Sequence, residues 1–131
     1  MRKHFQGFTV IELLVVAAFL GVAAIISLIQ TSTIHTESIN KQKRTAINAM
    51  YYSLEESFYK EHKYYPETLS DDTLKTMDSA LLTDPDGVKI GDSSSDYRYE
   101  ARDCTDGKCK AYTLRTVLKN EADFVKESRN N

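Results

Sequence analysis

The sequence predicts an α+β protein: one long N-terminal α-helix, transmembrane in its first half and amphipathic in its second, packed on a small antiparallel β-sheet head. Three observations carry that expectation. Residues 8–29 form an apolar run, residues 30–63 contain neither proline nor glycine, and the stretches 97–102 and 110–118 alternate side-chain type with period two. The chain's 131 residues allow about one domain. Its apolar residues crowd so closely towards the N-terminus that the mean hydropathy is still -0.43.

The apolar run reads FTVIELLVVAAFLGVAAIISLI, 22 residues. As a helix it would extend about 33 Å, enough to cross a hydrocarbon core of about 30 Å. Arg2, Lys3 and His4 stand before it, and no Lys or Arg follows it until Lys41. This asymmetry places Met1 in the cytoplasm and everything after Ile29 outside the cytoplasmic membrane, where a disulfide can persist. A conventional secretory signal peptide is the competing reading, with Ala17-Ala18 and Ala23-Ala24 as small-residue sites, but its apolar core would be shorter. Glu12 is the exception within the run. Its burial would cost a few kcal/mol unless the carboxylate snorkels to the interface or finds a partner.

Gly7-Phe8-Thr9-Val10-Ile11-Glu12-Leu13-Leu14-Val15-Val16, behind a short basic leader, resembles the processing motif of type IV pilins and of the related pseudopilins of type II secretion systems. The resemblance implies cleavage after Gly7 by a prepilin peptidase, N-methylation of the new terminus at Phe8, and an assembly role for Glu12. It also implies an inner-membrane assembly platform and self-association into a helical filament. The chemistry is coherent with that role, because the α-amino cation created at Phe8 can neutralise the buried carboxylate of a neighbouring copy. One feature departs from the family: Ile29 stands where many pilins carry a helix-bending proline near the end of the apolar stretch, leaving Gly21 as the weak point of the helix.

Beyond the membrane the helix is expected to continue. Ile47, Met50, Tyr51, Leu54 and Phe58 form an apolar stripe, while Lys41, Lys43 and Arg44 are expected on a more exposed, solvated face. Pro66 ends the helix near Lys63, about 84 Å from Phe8 at 1.5 Å per residue. The chain thus divides into a leader (1–7), a membrane or filament-core segment (8–29), an amphipathic segment (30–63) and a head (64–131).

Within the head, 64–69 reads as a loop and 70–77 as a short capped helix, with Leu69, Leu74 and Met77 filling the core. Asp84-Pro85-Asp86-Gly87 is a turn that resembles one found in many pilin and pseudopilin heads. Asp84, Asp86, Asp92 and Asp96 are weak candidates for oxygen ligands to Ca²⁺, a cation some major pseudopilins bind, although their spacing forms no EF-hand. The two period-two stretches read as a hairpin, with Cys104 and Cys109 opposed across Asp106-Gly107 and suited to a disulfide. A redox centre is the alternative, without a thioredoxin-like pattern around it. A last short strand is expected around Phe124-Val125.

The net charge of -2 supplies no basic field for nucleic acid. No nucleophile–base pair, phosphate-binding glycine loop or metal-ligand cluster appears, so catalysis is not expected and no cofactor is called for beyond the calcium candidate. The resemblance implies a structural subunit of a type IV pilus-like filament, serving adhesion, twitching motility or DNA uptake. The alternatives are a pseudopilin of a secretion or competence system and a monomeric membrane-anchored binding module.

Overall fold

The structure is a computed structural model that describes residues 7–130. Helix α1 covers Val10–Tyr52, passes into a π-helical stretch at Ser53–Phe58 and ends as α2 at Tyr59–His62. Thr9 supplies the N-terminal cap, its hydroxyl accepting the Glu12 N–H at 3.3 Å. At the other end Lys63 takes φ 63, and its N–H bonds the Tyr59 carbonyl. By length and composition this helix can cross a membrane. The chain divides into two compact units, one up to Glu37 and the other from Ser38 onward.

In the first unit every large apolar side chain from Phe8 to Ile29 is exposed. Polar groups on the helix are satisfied locally, the Ser27 and Thr33 hydroxyls donating to the carbonyls of Ala23 and Ile29. The segment therefore offers an apolar surface with its backbone closed, as a hydrocarbon environment requires.

The second unit is an open antiparallel sheet of four strands packed against the amphipathic part of the helix. Its strands are β1 (Tyr65–Pro66), β2 (Tyr97–Thr105), β3 (Lys108–Thr116) and β4 (Phe124–Glu127). β3 is central, with β2 along one side and β1 and β4 at opposite ends of the other. The core joins Ile47, Met50, Tyr51 and Leu54 of the helix to Tyr65, Leu74, Leu82, Ile90, Tyr97, Tyr112 and Leu114.

Tyr65–Pro66, within the expected 64–69 loop, pairs with β3 as β1, and three further local expectations change. The two strands run three residues further into the hairpin tip than the 97–102 reading and begin two earlier than the 110–118 reading, because Asp106 (φ 53) and Gly107 (φ 75) make a two-residue turn. The cysteine pair therefore lies inside the ladder. Residues 70–77 form successive turns and not a capped helix. There the Thr73 hydroxyl accepts the Ser70 N–H (2.8 Å) and donates to the Ser70 carbonyl, local bonds that compete with a helical ladder. A short 3₁₀ helix forms instead at Ser79–Leu82, capped by Asp78.

Lys43 is the third correction. It is buried, only 6% exposed, and donates to Asp96 Oδ2 at 2.5 Å and to the Val117 carbonyl at 3.1 Å. The predicted stripe omitted it because its charge must be matched by residues far along the chain.

Candidate functional site

Gly7 and Phe8 lie at the start of the described residues, with Phe8 exposed. Met1 to Gln6, including the basic residues Arg2, Lys3 and His4, lie outside them. Glu12 sits in the first turn of the helix, where the N-terminal end of the dipole favours a carboxylate. Its backbone is held by Thr9, which makes Thr9-x-x-Glu12 the sequence pattern of a capping box. That pattern supplies Glu12 with a local role in starting the helix beside any role between subunits, and it could have been read from the four residues alone. Glu12 stands among exposed apolar side chains, Val10, Ile11, Leu13 and Val16 among them.

The cysteines meet as expected. Cys104 and Cys109 are register partners in the β2–β3 ladder and form a disulfide. Pairing on either side of it, Arg102 with Ala111 and Thr105 with Lys108, fixes the hairpin.

Of the four aspartates proposed as calcium ligands, the Asp84, Asp92 and Asp96 carboxylates have protein partners, and Asp86 meets Asp84 through its backbone N–H. Asp84 is buried, and its carboxylate accepts N–H groups from Asp86 (3.0 Å), Val88 (2.8 Å) and Asp96 (2.8 Å) and the Ser95 hydroxyl (3.3 Å). Burial works against ionisation, but those donors outweigh it and hold the Asp84 carboxyl below its ordinary pKa. Asp92 accepts from the N–H and hydroxyl of Ser94, and Asp96 faces Lys43. Among the described residues no three His, Cys, Asp or Glu side chains converge on a point that could hold a metal ion.

The most connected polar group of the head is one that the sequence did not reveal. Glu55, 4% exposed, accepts the hydroxyls of Tyr65 (3.0 and 3.1 Å) and Tyr112 (2.8 Å), the Arg129 N–H (3.2 Å) and the Asn130 amide (3.4 Å). Glu55 lies in the π-helical stretch, where Ser53, Leu54 and Glu55 are all buried. Burial, with Glu55 adding to it, raises the Tyr112 hydroxyl far above its ordinary pKa. Burial likewise raises Tyr65 to about 12, and Asn130 partly offsets that rise. These are donors kept protonated to serve a buried carboxylate, an arrangement that closes a fold and contains no nucleophile. Comparison of the chain with protein-family models, with curated proteins and with solved structures finds no match.

Proposed function

We propose that this chain is a structural subunit of a type IV pilus-like filament, cut after Gly7, methylated at Phe8 and assembled through its apolar helix. The observation that carries the reading is an exposed apolar helical segment with a single carboxylate, Glu12, one turn from the proposed new terminus. Apolar burial would supply cohesion, and the pairing of Glu12 with the terminal amine of a neighbouring copy would supply register. Before assembly the subunit stands in the cytoplasmic membrane, N-terminus inside and head outside. The role is mechanical.

A second reading, a pseudopilin of a secretion or competence filament, is favoured by the Asp84-Pro85-Asp86-Gly87 turn. In the fold this turn is closed by the Gly87 N–H on the Asp84 carbonyl and held by the Asp84 side chain. Long surface fibres distinguish the pilin from the short envelope-spanning filament of the pseudopilin. A monomeric anchored module predicts instead that Gly7 stays uncut and that Glu12 is dispensable.

Intact mass and N-terminal sequencing of the protein sheared from the cell surface test the proposal. The expected chain begins at methylated Phe8. A chain beginning at Met1 and recovered only with membranes overturns it.

A further inference from the structure

We propose that the groove beside the hairpin disulfide binds an acidic saccharide, a ligand in which one carboxylate or phosphate is set among several hydroxyls. The groove lies between the end of the helix and the β2–β3 tip and encloses about 530 Å³. That is within the roughly 300–1,000 Å³ typical of small-molecule sites. Lys63, Lys108 and Lys110 line it. Among the described residues none of the three has a carboxylate within ion-pair distance. Three lysines, outnumbering the groove's two carboxylates, thus share one concavity in a chain whose net charge is negative.

The walls are ordered by packing. Tyr59 lines the groove with its ring stacked 4.8 Å from that of buried Tyr65, and the Lys108 ammonium sits 5.3 Å from the centre of the Tyr64 ring. The disulfide holds the hairpin side, and the left-handed backbone at Lys63 holds the helix side.

Asp103 and Asp106 stand in the same groove and decide the ligand class. Two carboxylates repel a chain that carries a charge at every unit, as nucleic acid does. They do accept hydrogen bonds from sugar hydroxyls, while the lysines meet a single anionic group and the tyrosine rings face apolar C–H edges. The site stands apart from the filament reading and holds whether or not the chain assembles.

Calorimetric titration of the full chain in detergent micelles tests it, with galacturonate and mannose 6-phosphate as acidic probes and maltotriose and an oligothymidylate as comparators. The expected result is saturable binding of at least one acidic probe that weakens with added salt and is at least tenfold tighter than maltotriose. A Lys108→Gln/Lys110→Gln variant with unchanged thermal melting should lose at least tenfold of that affinity. Binding of neither acidic probe, equal binding by the variant, or tighter binding of the oligothymidylate overturns the proposal.

Discussion

Glu55 depends on donors from β1, β3 and the C-terminal residues, so its removal strands several polar groups at once. Truncation by Glu55→Ala leaves the Tyr65 and Tyr112 hydroxyls and the Arg129 N–H without their buried acceptor. We expect a loss of about 3 kcal/mol, read as a lower urea midpoint. The opposite sign is expected at Thr116, whose hydroxyl is buried without a partner. Thr116→Val keeps the shape, removes the orphan and should raise stability by about 1 kcal/mol in the same titration. Asp84 gives a pH dependence. Its folded pKa lies below the ordinary 3.8, so its contribution is present above that pH and is lost as acid protonates the folded carboxyl. Acid unfolding of an Asp84→Asn variant should therefore lack the part of the slope below about pH 4 that this group supplies. At Glu12 the prediction is functional: Glu12→Val should abolish filament yield while the subunit still accumulates in membranes. The motif around Glu12 was legible because it is local. Lys43 and Glu55 were not, since partners such as Asp96 and Arg129 lie 53 and 74 residues away, and nothing in a helical stripe announces a charge compensated at that distance.

At the scale of elements, the helix and the hairpin were read from periodicity, and the places where periodicity failed have identifiable causes. The stripe runs into the π-helical stretch, where Glu55 is buried and Phe58 half-exposed. Local hydroxyl bonds replaced the expected helix near Ser70 with turns. The hairpin has two independent restraints, the Asp106-Gly107 turn and the disulfide. Reduction should then lower the stability of the head by about 2–3 kcal/mol without changing register. A thermal melt with and without reductant, with amide exchange along β2 and β3, checks both parts. β2 is also an edge strand, and its guards are visible: Arg98, Glu100 and Arg102 alternate along it, and Arg98 reaches the carbonyls of Asp92 and Ser93.

At the scale of the whole molecule, the described residues form one water-excluding core, and all of it lies beyond residue 45. The apolar segment contributes nothing to that core, so the two units answer to different solvents. A fragment of residues 38–131 should fold cooperatively in plain buffer, whereas the full chain should need detergent or lipid. Circular dichroism and size-exclusion chromatography of both decide this. The compact unit starts at Ser38, within the amphipathic part of the helix.

The closure of the head by its last residues bears on how the chain is made. Asn40 exchanges hydrogen bonds with Lys119 and also bonds Glu121, and Glu55 waits for Arg129 and Asn130. Synthesis delivers the apolar segment before these partners. Until residue 130 has been added the head cannot complete its fold, and the nascent chain stays pliable. The head locks shut only when Arg129 and Asn130 reach Glu55.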